Sequence, residues 1–268
     1  MRPDELDFMI RILRDRSGLA LTPDKQYLIE SRLTPIAQTQ GHKDLSGLIS
    51  LLRAGATEAL LTEVTEAMTT NESSFFRDGK PFEQLRKTVL PLLRQSVGAR
   101  RNLRIWSAAC SNGQEPYTIA MTLREDNAPE WRYEILATDL AEKVINKAKQ
   151  GIYSQFEVQR GMPIQLLIKY FKQESDLTWQ IKEDLRSMIQ YRVQNLLKDY
   201  MALGRFDLIF CRNVLIYFDE ATKSNVIENM CNVLQPNGFL FIGSTEAITG
   251  KNTRLTEVEG CRGIYRLK

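Results

Sequence analysis

Apolar residues recur at helical spacing through the first seventy positions, then give way to short apolar runs bounded by turns. Leu6, Ile10 and Leu13 mark one face of a helix that Gly18 ends. Thr22-Pro23 reads as a cap followed by proline in the first turn of a second helix, with Tyr27, Leu28 and Leu33 turned inward. Asp44 is placed to cap a third helix through Leu48, Leu51 and Leu52, with Gly55 just past its end. Thr57 is placed to cap a fourth, carrying Leu60, Leu61, Val64 and Met68. No strand pattern interrupts these, so residues 1–70 are expected to form a small all-helical domain.

Residues 71–95 read as a linker and connecting helix, opening with the polar stretch Asn71-Glu72-Ser73-Ser74-Phe75-Phe76-Arg77-Asp78-Gly79. Phe75-Phe76 is expected to be an apolar seam between domains, and Arg77 by itself reads as a surface salt bridge. Over residues 96–268 strand patterns alternate with helical ones, which predicts an α/β fold built on a doubly wound, mostly parallel sheet. The strands are expected at 104–107, 133–139, 206–211 and 239–242, with 263–267 finishing the sheet. Helices are expected at 116–124, before Gly151, and from an Asp219 cap to about Leu234. Thr178–Ile181 and Met188–Val193 alternate like short antiparallel strands. They predict a small antiparallel insertion at about 172–192, the first strand lying on the main sheet and the second leading back into it.

With 268 residues, 43% of them hydrophobic, the chain has ample core for one large or two modest domains. A net charge of +3 falls short of a nucleic-acid footprint, and no apolar run is long enough to span a bilayer. The polar, acidic start does not read as a secretory signal, so a cytoplasmic protein is expected. The 4 cysteines are widely separated, predicting neither a zinc site nor a disulfide framework, and no metal is expected. His42 is the only histidine and sits in a Gly41-His42-Lys43 turn, where a solvated loop residue is the simpler reading.

Candidate chemistry gathers at predicted strand ends. The run Trp106-Ser107-Ala108-Ala109-Cys110-Ser111-Asn112-Gly113-Gln114-Glu115-Pro116-Tyr117 passes from strand through a turn of small residues into a helix. The carboxyl end of the first strand is where such sheets dock nucleotide-like ligands. The turn is not G-x-G-x-x-G, and Glu115 at the helix start would repel a pyrophosphate while attracting an ammonium or hydroxyls. The turn therefore favours a ligand with a positive end, such as S-adenosylmethionine, over a dinucleotide. Asp139 ends the second strand where a ribose-binding acid belongs, or else it caps the following helix. Arg212 and Asn213 follow the central strand as fixed donors, Tyr217 adds a phenol, and Phe218 reads as core. Asn195 follows another strand end, where it donates to a purine edge with Leu196 packed on the ring, or is an ordinary loop residue.

Together these segments resemble the CheR-type chemotaxis receptor methyltransferases over essentially the whole chain. The resemblance is carried by Thr70–Arg77, Trp106–Tyr117, Ala137-Thr138-Asp139 and Phe210-Cys211-Arg212-Asn213-Val214-Leu215-Ile216-Tyr217-Phe218. It implies a class I S-adenosylmethionine methyltransferase fold and transfer of that cofactor's methyl to glutamate side chains of methyl-accepting chemotaxis receptors, leaving S-adenosylhomocysteine. It also implies that Asn71, Ser73 and Arg77 reach the cofactor from the linker and that Glu115 and Asp139 serve its methionine and ribose portions. Asn195 and Leu196 would hold the adenine, Arg212 and Asn213 would line the pocket near the methyl, and Tyr217 would stand beside the reacting centre. Arg212 and Tyr217 are the candidate catalytic residues. The expected partner is the cytoplasmic domain of the receptors, reached in receptor arrays by a monomer that touches the membrane only through them.

Some positions depart from relatives. Ser73 and Cys110 stand where threonine and alanine or glycine are frequent, both small changes. The second helix has Lys25 and Arg32 but then Pro35, Gln38 and Gln40, a thinner basic stripe than relatives use on receptors. The hairpin around Gln173–Ile181 is short, which predicts independence from the receptor-tail peptide that a longer one grips in some relatives. Two other readings compete: a methyltransferase for nucleic acid or a small molecule, and a non-catalytic module that binds the cofactor or its product and docks on receptor arrays. The chain lacks an N-P-P-[YF] turn and a Pro-Cys nucleophile, which disfavours the first, and its Arg212, Asn213 and Tyr217 disfavour the second. A nicotinamide dehydrogenase is disfavoured by Glu115 and by the absence of G-x-G-x-x-G.

Overall fold

The structure, a computed structural model, describes residues 1–248 and 254–268. Its contacts divide the chain into two units, Met1–Thr70 with Tyr217–Lys223, and Asn71–Ile216 with Ser224–Lys268.

The first unit is built on α1 (Pro3–Ser17), α2 (Gln26–Thr39), α3 (Leu45–Gly55) and α4 (Glu58–Met68). Met9, Leu13, Ile29, Leu33, Leu48 and Val64 form its buried centre. The caps follow the sequence: the Gly47 N–H donates to Asp44 Oδ1 at 3.1 Å, and the Leu60 N–H to Thr57 Oγ1 at 3.3 Å. Gly18, with φ 78°, closes α1 in the left-handed conformation. Two boundaries differ from expectation. Thr22 makes no side-chain cap and Pro23–Lys25 is a separate 3-10 turn before α2, while Gly55 is the last residue of α3 rather than the one after it.

In the second unit the connecting helix is broken into α5 (Lys80–Gln84), a π-helical turn at Leu85–Val89 and α6 (Leu90–Ser96). Pro91, in the first turn of α6, has no N–H to offer the preceding turn, and the wider π spacing sits directly before it. Phe75, expected at a domain seam, packs within the second unit. It is fully buried in the α/β core, with Tyr153 at 4.9 Å and Phe171 at 5.6 Å between ring centroids, both edge-on, and so anchors the linker there.

The sheet and its helices follow in the order β1 (Asn102–Ala108), α7 (Gln114–Glu125), β2 (Arg132–Asp139), α8 (Glu142–Gln150), β3 (Ile152–Ser154), α9 (Gln155–Gln159), α10 (Ile164–Tyr170), β4 (Phe171–Ser175), β5 (Thr178–Ile181), α11 (Glu183–Arg186), β6 (Ile189–Val193), β7 (Phe206–Cys211), α12 (Glu220–Val233), β8 (Leu234–Ile242), β9 (Leu255–Glu257) and β10 (Ile264–Leu267). The main sheet runs β6-β2-β1-β7-β8-β10-β9, parallel from β6 to β8 and antiparallel at β10 and β9. All six residues of β7 are buried, as a central strand covered on both faces requires; the one polar residue, Asp207, accepts the Arg104 N–H at 2.8 Å. Strand order reverses between β1 and β7, so a crevice opens outside their carboxyl ends.

The insertion differs from its expected form. β4 and β5 join β3 in a separate three-stranded antiparallel sheet, while Ile189–Val193 lies parallel to β2 in the main sheet. Alternation alone cannot tell parallel from antiparallel pairing, and β3 is too short to show a period. β10 does not end the sheet either, because β9 pairs outside it.

Candidate active site

Five of the seven described non-glycine residues with positive φ cluster at these strand ends and in the linker: Phe76, Asp78, Ala109, Ser111 and Asn213. Such conformations cost energy and persist only where surrounding contacts enforce them, commonly at ligand sites. After β1 the chain turns through Ala109 (φ 58°), Ser111 (φ 51°) and Gly113 (φ 90°) before α7 begins. A Cβ on Gly113 would lie 2.8 Å from Ala148 Cβ and 3.0 Å from the Tyr153 hydroxyl, so both conformation and space demand glycine.

The turn is pinned on three sides. The Cys110 N–H donates to the Thr138 carbonyl at 2.9 Å, and the Tyr153 hydroxyl donates to the Asn112 carbonyl at 2.7 Å. The Ser111 hydroxyl donates to the Asn71 carbonyl at 2.8 Å, which ties the start of the linker to the turn. Asp139, at the end of β2, accepts the Ser111 N–H at 2.8 Å and the Ala141 N–H at 3.1 Å. One carboxylate thus joins the turn to the residue before α8; the N-cap of α8 is Ala141, which has no side-chain cap bond, so Asp139 does not cap that helix.

Arg212 emerges from β7 as the buried centre of a charge cluster whose acids are partly exposed. Its Nη1 donates to Glu115 at 3.0 Å, and its Nη2 donates to Asp78 and to the Arg77 carbonyl, both at 2.9 Å. The guanidinium lies 5.3 Å from the Phe82 ring centroid, and Phe82 stacks on Phe210. Glu115 also accepts the Ser107 hydroxyl at 2.7 Å. Burial pushes the Glu115 carboxyl above its ordinary range, against the pull of the Arg212 guanidinium and the Ser107 hydrogen bond. Burial likewise drives the Cys110 thiol upward, so it is no nucleophile at neutral pH.

The other expected residues are placed as follows. Ser73 and Arg77 are half-buried in the linker, and Arg77 Nη1 donates to the Glu72 carbonyl at 3.1 Å. The Glu72 carboxylate pairs with Arg160 at 2.6 Å, and Arg77 makes no salt bridge among the described residues, so the surface salt bridge expected of it is not formed. Asn195 sits just past β6, its Oδ1 accepting the Leu197 N–H at 2.9 Å, and Leu196 is buried. The Gln194 N–H donates to the Asp139 carbonyl at 2.8 Å, which brings this loop beside the end of β2. Asn213 follows Arg212 with φ 60°. Tyr217 falls in the first unit, where its carbonyl accepts the Ala20 N–H at 2.8 Å.

Residues 4–69 match the family described as CheR methyltransferase, all-alpha domain, and residues 71–264 match CheR methyltransferase, SAM binding domain. The chain belongs to the CheR methyltransferase family. It is 39% identical over 277 residues to chemotaxis protein methyltransferase Cher2 of Pseudomonas putida, covering 100% of both chains. Chemotaxis protein methyltransferase 1 of Pseudomonas aeruginosa is 39% identical over 270 residues, with 97% of each chain covered. The chemotaxis protein methyltransferase of Borreliella burgdorferi is 39% identical over 253 residues, 92% of this chain and 89% of that one.

CheR membership brings S-adenosylmethionine as cofactor, and the residues present fit it. Glu115 and Asp139 are acids that would suit the cofactor's ammonium and hydroxyl groups, and the small turn would let the backbone approach. Two buried polar atoms in this region, Gln114 Oε1 and Arg212 Nε, have no protein partner, as expected where a ligand or water completes the bonding. Three residues of this CheR site carry weak sequence signals. Ser107 shows only as a polar residue within an apolar strand, and Asp78 only as the neighbour of Arg77. Glu246, which accepts the Asn213 N–H at 2.9 Å, follows a strand end without any motif.

Proposed function

We infer that this chain is an S-adenosylmethionine-dependent protein-glutamate O-methyltransferase acting on chemotaxis receptors, with S-adenosylhomocysteine as product. The observation that carries this reading is full-length membership of the CheR family combined with an intact acid–base cluster at the topological switch point. When bound, the cofactor supplies an activated sulfonium methyl. A glutamate carboxylate, with an ordinary pKa near 4.3, is already the nucleophile at neutral pH, so no protein base is required. The protein's task is placement and exclusion of water, and placement alone can contribute on the order of 7–11 kcal/mol.

In this reading Asp139 faces the ribose hydroxyls, and Asn195 with Leu196 holds the adenine. Arg77 holds the cofactor carboxylate, with Asn71 and Ser73 beside it on the linker. Arg212 acts chiefly by fixing Glu115 and Asp78, since its terminal nitrogens are bonded to protein groups. Asn213 shapes the wall near the methyl, and Tyr217 orients the substrate carboxylate. The division into a helical domain (1–70), a linker with connecting helix (71–95) and a methyltransferase domain (96–268) belongs to the same reading. So do action as a monomer, no role for nucleic acid, and residence at cytoplasmic receptor arrays. β4 and β5 are joined by Asp176 and Leu177 alone, which supports independence from a receptor-tail peptide.

The test is incubation of the enzyme with labelled cofactor and receptor cytoplasmic fragments, followed by peptide mass spectrometry. Base-labile methyl esters on glutamates are expected. Label on RNA instead of receptors, or cofactor binding with no transfer to any receptor, would overturn the assignment.

A further inference from the structure

We propose that Glu246 is a positioning residue for methyl transfer, clamping the backbone of the 212–216 segment to the end of β8. This rests on the methyl-transfer reading above. Beyond Cys211 the chain leaves the sheet, and its backbone N–H groups lose their ladder partners. Asn213 is held at φ 60° and Leu215 is fully buried, so the segment needs an acceptor inside the protein. Glu246 supplies it. The residue is 8% exposed, with Oε2 accepting the Asn213 N–H at 2.9 Å and the Gly243 N–H at 2.6 Å, and Oε1 accepting the Ile216 N–H at 3.2 Å. The Glu246 N–H donates back to the Gly243 carbonyl at 3.0 Å, which closes the turn on itself.

Packing at the same place is tight. A Cβ on Gly243 would lie 2.6 Å from Glu246 Oε2, 2.8 Å from Asn213 Nδ2 and 3.0 Å from the Asn213 backbone nitrogen. Two backbones and one carboxylate are therefore pressed together with no room for a side chain. The first residue of the segment is Arg212, whose side chain is held by Glu115 and Asp78. Glu246 fixes the backbone where Asn213 leaves the sheet, and the charge cluster fixes the neighbouring side chain. With all three bonds made to backbone N–H groups, Glu246 reaches the reaction only through the segment it holds.

Replacement by glutamine leaves one oxygen and turns an NH2 toward an N–H donor, so one side of the clamp fails. In Glu246→Gln, amide hydrogen exchange at Asn213 or Ile216 is expected to quicken at least about tenfold, with the amides of β7 unchanged. A misplacement of this kind is expected to lower kcat on the order of a hundredfold. Affinity for S-adenosylhomocysteine should stay within about threefold, since the groups proposed to hold it are anchored elsewhere. Glu246→Ala should exceed the glutamine variant in both effects, and if it does not fold, the glutamine variant decides alone. Unchanged exchange at both amides, or kcat and product affinity falling by one common factor, would overturn the proposal. If the wild-type protein methylates no receptor, the methyl-transfer reading falls, while the exchange measurement still decides whether Glu246 clamps the segment.

Discussion

Glu115 is a carboxylate taken from water and given back two partners, Ser107 and Arg212, and the balance leaves its carboxyl raised. The sign of its pH effect follows. A raised carboxyl takes up its proton at a higher pH than the ordinary value of 4.5, and the neutral form gives up the charge attraction to Arg212 and to a bound ammonium. Affinity for S-adenosylhomocysteine, measured by calorimetry, should therefore weaken on acidification before free carboxylates begin to titrate. Glu115→Gln should weaken binding by about 1.5–3 kcal/mol at neutral pH and abolish that dependence. An identical acid limb in the variant would assign it to another group. Glu115 and Arg212 were legible because one opens the helix after β1 and the other follows β7, both places set by the topology. Asp78 and Glu246 were not, since the bonds that give them meaning reach Arg212 and Asn213 across 134 and 33 positions of sequence.

At the scale of elements, what the sequence made readable was what local forces decide. Asp44 and Thr57 cap α3 and α4 because a short oxygen-bearing side chain satisfies an N–H that the helix leaves open. Asp44→Ala should lower stability by about 1 kcal/mol in denaturant titration without changing the slope of the transition. The turn between β1 and α7 is set by tertiary contact as well as by its own residues. Gly113→Ala must place a methyl 2.8 Å from Ala148 Cβ at φ 90°, and is expected to cost about 1–3 kcal/mol. A thermal midpoint equal to the wild type would show that the turn relaxes freely. Features decided by distant pairing were beyond the pattern: the three-residue strands β3 and β9, and the parallel placement of β6. Phe75 is the same case, an aromatic whose linker position pointed to a domain seam while its ring partners lie in the α/β core.

For the molecule as a whole, the distribution of titratable groups forecasts how turnover responds to pH. The only histidine, His42, follows α2 in the first unit, and its N–H donates to the Ala37 carbonyl there at 2.9 Å. Around the turn, burial carries the phenols of Tyr153 and Tyr191 well above their ordinary value, raises that of Tyr117 to about 12, and raises the thiols of Cys110 and Cys211. None of these groups changes charge near neutrality, and the substrate carboxylate is ionised from about pH 5 upward. The rate at saturating cofactor should therefore stay level between about pH 6 and pH 8.5, without the step near 6.5 that a histidine base would impose. His42→Gln should leave kcat within about twofold, because neither an acid nor a base is asked of it. A step near 6.5 that disappears in His42→Gln would mean that the transfer draws on a proton carrier after all, and that placement is not the whole of this enzyme's contribution.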